Sequence, residues 1–263
     1  MADPPSLPRK SRLFTSNDVA VTLVYYPPGL IQPDHAHHGP QMSVLLAGGF
    51  REQTGQNDTE PSQRVSALKS AGARHAVRFG RHGALMLSMD LGRDLPLPVR
   101  QAGDWRPLSQ NAHALAATLL GTSDRQDVVD DLMAEIREAS PLVGLSPPAA
   151  VQRLKEALDD DPAHIQIRDM AQTLDVHRVH LSRAFSAAYG LPPSLYRRRR
   201  MTAHALALTC RDRLPLAHIA AEAGFADQSH MNRAFRHELG LNPAKLRRLF
   251  SVTSVQDANS PKA

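Results

Sequence analysis

The chain contains the stretch RAFSAAYGLPPSLYRR at residues 183–198 and repeats it as RAFRHELGLNPAKLRR at residues 233–248, 50 residues later. A second matching pair precedes it, IRDMAQTLDVHRVHLSRAF from Ile167 and LAHIAAEAGFADQSHMNRAF from Leu216. There the offset is 49, so the second copy has one extra residue, as expected in a connector. Each copy predicts a short helix, a tight turn and a second helix that stops at Gly-x-x-Pro. The sequence therefore predicts two helix-turn-helix units in tandem.

Helical periodicity predicts which side of each second helix is buried. At about 100° per residue, Leu181 and Phe185 share one face in the first unit, as do Met231 and Phe235 in the second. The opposite, outward face then carries Val179, Arg183 and Ser186 in the first unit, and Ser229, Arg233 and Arg236 in the second. An outward Arg recurs at the same position of both helices. A helix that reads the major groove needs such an Arg, because its guanidinium can bind guanine through two hydrogen bonds.

The basic charge is concentrated in the repeated region. Residues 162–250 carry 14 Lys and Arg against 6 Asp and Glu, a net charge of +8, whereas the whole chain has +5 and the remainder therefore −3. A basic domain joined to a mildly acidic one indicates a polyanionic partner for the basic domain. Together with the repeated outward Arg, this charge favours double-stranded DNA over a merely solvated basic face.

The length of 263 residues favours two domains, each large enough to bury a core. The sequence has no apolar run of the roughly 18 to 20 residues that a membrane helix needs, and its first residues lack the apolar core of a signal peptide. We therefore expect a cytoplasmic protein without a membrane contact. The single cysteine, Cys210, lies in a helical stretch and is predicted to be a small core residue.

The predicted fold class is α+β with two domains. From Asp18 to Leu91 apolar residues alternate with polar ones between Gly, Pro and polar turns, which predicts a β-barrel or sandwich over residues 12–100. Residues 101–145 predict linker or dimerisation helices, in which Val128, Leu132, Ile136 and Ala139 form an apolar stripe. This stripe faces either the core or a second copy of the chain. Residues 146–250 then form the all-α domain with the two helix-turn-helix units.

Over residues 147–250 the chain resembles the DNA-binding module of the AraC/XylS family of transcriptional regulators. The resemblance implies that one long helix bridges the two units and that both second helices enter neighbouring major-groove segments. It places base contacts on Val179, Ser182, Arg183, Gln228, Ser229 and Arg233, and the outward face adds Arg236. The first unit departs from the family pattern, because Asp175 stands where Gly is usual and His177 where a Ser cap is expected.

The N-terminal domain resembles a cupin, the sensor domain that many AraC/XylS regulators carry. The spacing of the first cupin motif is followed by Gly29, His35, His37, Gln41 and Gly48, and that of the second by Gly72 and His75. In metal-binding cupins two His, a Glu and a further His hold a divalent ion, so the resemblance implies a metal at His35, His37 and His75. Gln41 replaces the Glu, and a neutral amide is a weaker metal ligand than a carboxylate.

An organic effector is the alternative occupant of this site. In that interpretation His35, His37, Gln41 and His75 line a pocket in the barrel and hydrogen-bond a small molecule. Because Gln41 brings no negative charge, a carboxylate or phenolate effector would meet no repulsion from that position. Two other histidines, His38 and His82, are predicted to be exposed loop residues.

Four consecutive arginines, Arg197–Arg200, follow the first unit on the predicted bridging helix. Four successive helical residues point in four directions, so one or two of these side chains can reach a phosphate while the others face solvent or neighbouring acids. Met201, Ala205 and Leu208 mark the buried stripe of the same helix.

Two functions of different classes remain open at this point. In the first, the chain is a transcriptional activator and not an enzyme: the barrel senses a small molecule, the paired units bind a promoter, and the resemblance implies RNA polymerase and a second copy of the chain as further partners. In the second, the barrel is a metal-dependent cupin enzyme that the C-terminal domain localises. The absence of the motif Glu at Gln41 favours the first.

Overall fold

Eight strands precede the helices in the computed structural model, which describes residues 7–55, 57–61, 64–92, 104–139, 147–211 and 214–252. The strands are β1 (Arg9–Thr15), β2 (Val19–Tyr26), β3 (Ile31–Ala36), β4 (Gln41–Thr54), β5 (Asn57–Thr59), β6 (Val65–Lys69), β7 (Arg74–Leu91) and β8 (Arg106–Pro107). They form an antiparallel sheet in the order β1-β2-β7-β4-β6-β8, with β3 on β7 and β5 on β4. The first half of β7 pairs with β3 and its second half with β2, so the sheet curves into the predicted barrel.

The alternation of the strands gives the sheet two apolar faces. One face, with Leu23 on β2 and Leu85 and Leu87 on β7, joins the core that also contains the helices. The other face, with Phe50 on β4 and Val77 and Phe79 on β7, forms a separate core inside the curved sheet. Because side chains point to opposite faces at successive positions, every second residue of these strands reaches the barrel interior.

Two linker helices, α1 (Gln110–Gly121) and α2 (Gln126–Glu138), pack on the outer face of the sheet. The buried residues of α2 are Val129, Leu132, Met133 and Ile136. Leu132 and Ile136 are buried as predicted, and the half-buried Val128 packs against the same core, whereas Ala139 is half-buried at the residue that ends the helix. Within this chain the stripe belongs to the core.

Seven helices follow in the remaining described residues: α3 (Ala149–Asp160), α4 (Ile167–Thr173), α5 (Arg178–Tyr189), α6 (Pro193–Arg211), α7 (Leu216–Glu222), α8 (Gln228–Leu239) and α9 (Pro243–Val252). Helices α4 and α5 form the first helix-turn-helix unit, and α7 and α8 form the second. Leu181, Phe185, Met231 and Phe235 are buried as predicted. Both α5 and α8 end at a left-handed glycine, Gly190 and Gly240.

The long helix α6 connects the two units and also contacts β4 and β7 of the barrel. It is therefore covered on most sides, and the predicted stripe of Met201, Ala205 and Leu208 is buried together with Cys210. Among the described residues, no helix combines the length and the apolar character needed to cross a membrane.

Candidate DNA-binding surface and histidine cluster

The second helices of the two units, α5 and α8, expose the side chains that the sequence assigns to DNA. On α5, Val179 and Arg183 are exposed and Ser182 is half-buried. On α8 the exposed set comprises Gln228, Ser229, Arg233 and Arg236. The repeat thus places Arg183 and Arg233 at equivalent, accessible points of two helices.

The start of each second helix is fixed by a side-chain cap. In α8 the carboxylate of Asp227 accepts a hydrogen bond from the backbone N–H of His230 at 2.6 Å. In α5 the imidazole Nδ1 of His177 accepts from the N–H of Val179 at 3.3 Å, so His177 fills the capping position in which a Ser was expected. Both caps satisfy a donor that the first turn of a helix leaves unpaired.

The turn before each cap has a residue with a left-handed backbone conformation at the same position. Asp175 has a φ of 51° and Gly224 a φ of 84°, at equivalent places in the two units. The departure of Asp175 from the family pattern therefore changes the residue and keeps the backbone conformation.

The repeat also marks two residues that the sequence analysis did not select. An offset of 50 maps Gln228 onto Arg178, which is exposed at the first position of α5. The same offset maps Ser182 onto Asn232, which is half-buried on α8. Applying the repeat position by position, in both directions, would have found them.

Inside the barrel the three predicted histidines converge. His35 on β3 lies opposite His75 on β7, with ring centroids 4.4 Å apart, and His37 lies 5.1 Å from His75 and 5.2 Å from His35. One ligand nitrogen from each of them lies within 4.8 Å of the others. The Nδ1–H of His35 donates to the carbonyl oxygen of Pro33 at 2.8 Å, which leaves its Nε2 to accept a ligand. As a donor set, the cluster fits a divalent ion.

Next to the histidines lies a buried ion pair that the sequence analysis missed. Glu52 on β4 is 0% exposed and Lys69 on β6 is 4% exposed, and the Lys69 ammonium donates to the Glu52 carboxylate. The indole N–H of Trp105 donates to the other carboxylate oxygen. The same ammonium lies 3.4 Å from the Nε2 of His75. Strand alternation could have placed both charges inside, because Glu52 follows Phe50 by two residues and Lys69 follows Ala67 by two.

This environment favours the neutral form of His37 and His75. Burial, followed by the positive charge of Lys69, lowers the pKa of both His75 and His37 below the usual imidazole value. Neutral imidazole is the form that binds a metal or accepts a hydrogen bond. The Lys69 ammonium opposes a cation bound at His75, so the charge of the site is less suited to a metal than its donor atoms are.

Gln41 is held by other partners. Its Nε2 donates to Asp90 at 2.8 Å, and the Ser43 hydroxyl donates to its Oε1 at 3.3 Å. Both ends of the Gln41 amide are therefore hydrogen-bonded to side chains of the sheet, Asp90 on β7 and Ser43 on β4. Asp90 and Glu52 also bring carboxylates into this region from positions outside the predicted motifs.

One of the two remaining histidines differs from the prediction. His38 is exposed as expected. His82 is only 5% exposed, and its ring stacks on His204 of α6 at 4.8 Å, so the prediction of an exposed loop residue was wrong. Helix α6 covers this part of the barrel surface, and nothing in the barrel sequence alone indicates that cover.

The chain is thus a two-domain protein, in which an antiparallel barrel is joined to two helix-turn-helix units. The exposed faces of α5 and α8 form a surface suited to DNA. Comparison with known proteins agrees: residues 170–249, from α4 into α9, match the family described as "Helix-turn-helix domain". An AraC-like transcription regulator from Streptomyces antibioticus is 33% identical over 112 residues, which are 41% of this chain. The match spans 35% of that relative, about a third of its length.

Two solved structures are similar to parts of the fold. ToxT from Vibrio cholerae matches at 10% identity over 89% of this chain and 100% of its own, with a TM-score of 0.39. A cupin superfamily protein from Desulfitobacterium hafniense matches at 15% identity over 35% of this chain and 83% of its own, with a TM-score of 0.31. The helix-turn-helix domain that the sequence predicted is confirmed.

Proposed function

We propose that the chain is a sequence-specific transcriptional activator, controlled by a small molecule bound in its barrel. The observation that carries this proposal is the matched exposure of Arg183 and Arg233 on two repeated helices with equivalent caps, turns and ends. RNA polymerase, a second copy of the chain and a cytoplasmic location belong to the same proposal through the AraC/XylS resemblance.

The DNA-binding residues have distinct chemical roles in this proposal. Arg183 and Arg233 each bind the O6 and N7 atoms of a guanine, and the exposed Val179 contacts a thymine methyl group. Ser182, Gln228, Ser229 and Arg236 supply the remaining contacts to bases and phosphates. Because the helices belong to tandem units, their sites lie about one helical turn apart.

Footprinting on the DNA that flanks the gene of this protein tests the proposal. Once a protected site is found, Arg183→Ala and Arg233→Ala should each weaken binding to it by about 1 to 3 kcal/mol and relax base preference at two separate positions. Arg12→Ala, at an exposed Arg of β1, is the matched control and should leave binding unchanged. An equal loss of affinity for the site and for random DNA would show that the two arginines hold phosphates or support the fold instead.

In the barrel, His35, His37 and His75 are the proposed effector-binding groups, with Gln41 and Asp90 beside them. The same three histidines are the residues that would hold a divalent ion, which would supply Lewis-acid chemistry or a structural cross-link. We assign the barrel a sensing role instead of a catalytic one, because Gln41 replaces the motif Glu and the Lys69 ammonium, 3.4 Å from the Nε2 of His75, opposes a bound cation. Calorimetric titration of the metal-free chain with Zn²⁺, compared with His35→Ala, measures whether the metal is bound there.

A further inference from the structure

Glu238, near the C-terminal end of α8, is a buried carboxylate at the centre of a cluster of basic side chains. Its side chain is 3% exposed. Arg64, just before β6, donates to its carboxylate, and the Nε of Arg199 lies 3.2 Å from the same oxygen. Arg198 and His237 approach the other oxygen, at 3.7 Å and 2.9 Å. A recognition helix of the C-terminal domain is therefore bonded directly to the barrel.

The linker helix α1 contacts the same end of α8. The Nε2 of His113 lies 2.8 Å from the backbone carbonyl oxygen of Glu238, to which it donates. Barrel, linker and bridging helix thus converge on the last turns of α8, whereas Gln228, Ser229 and Arg233 stay exposed towards its start. The part of α8 that is anchored and the part that faces outward are different.

A second set of contacts fixes α3 and α6 to the barrel. The Nη1 of Arg200 donates to the carbonyl oxygen of Gly48 on β4 at 3.2 Å, and its Nε lies 2.9 Å from Asp159 at the end of α3. Arg81 on β7 pairs with Asp160 at 3.4 Å. Because these contacts lie on the side of α3, the barrel is attached to both halves of the C-terminal domain.

Strand β6 connects the Glu238 cluster with the histidine cluster inside the barrel. Arg64 immediately precedes β6, and Lys69 at the other end of the strand contacts Glu52 and His75. Five residues of extended chain span about 16 Å. The strand is paired with β4 along its whole length and with β8 at Val65 and Ser66, so its two ends belong to one continuous, hydrogen-bonded element.

We propose that Arg64 and Glu238 form a latch through which β6 couples the histidine cluster to the second recognition helix. This inference rests on the proposed function, which gives the barrel the role of a sensor and α8 the role of binding DNA. The latch can open without leaving a buried charge unpaired, because Glu238 keeps Arg199 and Arg198 when Arg64 withdraws. Arg64 is 13% exposed, so its guanidinium lies close to solvent. The carboxylate is therefore neutralised whether the latch is closed or open.

Hydrogen exchange on the full chain tests the latch without DNA or effector. Arg64→Met keeps an unbranched apolar side chain and removes the guanidinium with its charge. We expect amide exchange in the last turns of α8, around residues 234–239, to rise about tenfold or more, with unchanged exchange in β4 and β7. Arg51→Met is the matched control: this Arg is also on the barrel, is 59% exposed and pairs with Glu60, and its loss should leave α8 unaffected. Unchanged α8 exchange in Arg64→Met, or faster exchange throughout the barrel, would overturn the latch.

Coupling along β6 is tested by changing its other end. The double change Glu52→Gln with Lys69→Met neutralises the interior pair and leaves no lone charge. It should alter α8 exchange in the parent chain and have no such effect when Arg64→Met is already present. Equal effects in both backgrounds would exclude the coupling. If the double variant loses the barrel fold, Trp105→Phe removes one hydrogen bond to Glu52 and serves the same comparison. Since no step uses DNA, a failed footprint would reject the proposed function and leave this result standing.

Discussion

At the residue scale, Asp175 holds a backbone conformation that favours glycine. Among the described non-glycine residues, Asp175 is the one with a positive φ, 51°. Its counterpart in the second unit is Gly224. Asp tolerates the left-handed region better than most residues, but glycine occupies it without steric cost. Asp175→Gly should therefore raise the free energy of unfolding by about 0.5 to 1 kcal/mol, after the larger entropy of the unfolded Gly chain is subtracted.

Thermal unfolding followed by circular dichroism measures this change. Asp169→Gly, inside helix α4, is the control and should lower the melting temperature, because glycine is unfavourable in a helix interior. A melting temperature of Asp175→Gly equal to or below that of the parent would mean that the Asp side chain itself stabilises the turn.

Gln41 is the second residue whose substitution the structure makes informative. Its Nε2 lies 2.8 Å from the Asp90 carboxylate, so Gln41→Glu would place two carboxylates in contact. Like charges raise the pKa of such a pair in the folded state, which means that the folded chain holds a proton that the unfolded chain releases. Relative to the parent, the variant should lose stability as the pH rises from about 4.5 to 7. Gln53→Glu, at an exposed site of the same strand, should show no such trend in melting temperatures across that range.

The residues of the two candidate sites differed in how far sequence could identify them. Arg183 and Arg233 could be found because the internal repeat compares one helix with another inside the same chain. His35, His37 and His75 could be found because a motif spacing places them together. Strand alternation could have placed Glu52 and Lys69 in the interior, but it could not pair them, because the two residues lie on different strands.

At the scale of elements, strand β7 and helix α6 meet at the stacked rings of His82 and His204. Burial, followed by the charge of Arg200, lowers the pKa of His82 to about 3. The unfolded chain binds this proton near pH 6.5, so stability is lost as the pH falls from about 6.5 towards 3. The loss from this one group is at most about 1.4 kcal/mol per pH unit.

His82→Phe should flatten that dependence, because the ring contact is kept and the titrating group removed. Urea unfolding at pH 7, 6 and 5 would show a smaller decline in the variant than in the parent. His38→Gln removes an exposed imidazole and should leave the decline as it is. An identical slope in His82→Phe and the parent would mean that His82 takes up its proton without leaving the folded interface.

Local pattern predicted the elements well and their packing less well. The strands, the two helix-turn-helix units and the bridging helix follow from periodicity, capping residues and glycine stops, all of which act within a few residues. The prediction for α2 omitted the buried Val129 and Met133, and His82 was assigned to the surface, because the covering element is distant in sequence. Periodicity does not show which distant element will pack on a given face.

At the scale of the whole molecule, the run Arg197–Arg200 illustrates the same point. Arg197 donates to the carbonyl oxygen of Ala163, Arg199 approaches Glu238, and Arg200 reaches Gly48 and Asp159. These contacts join α6 to α3 and the segment after it, to the second unit and to the barrel. Several of the arginines that a sequence reader assigns to phosphates thus hold the domains together, as the alternative of neighbouring acids allowed.

The two helix-ending glycines offer a measure of how firmly the linker is docked on the DNA-binding domain. Gly190 and Gly240 have nearly equal φ values, 71° and 69°, so an added methyl group strains both backbones by the same amount, about 1 kcal/mol. Their surroundings differ: a Cβ at Gly190 would meet nothing within 4 Å, whereas a Cβ at Gly240 would lie 2.5 Å from the carbonyl oxygen of Ala117 on α1. Gly240→Ala must therefore displace α1 from the end of α8.

We expect Gly240→Ala to lower the melting temperature more than Gly190→Ala does, and to speed amide exchange in α1 and at the end of α8. In Gly190→Ala the exchange of α1 should stay at the level of the parent chain, since that glycine has no contact with the linker. Differential scanning calorimetry and hydrogen exchange on the two variants supply the comparison. Equal melting temperatures with unchanged α1 exchange would mean that α1 can move away from α8 at no cost, and the linker would then not be part of the connection between barrel and recognition helix.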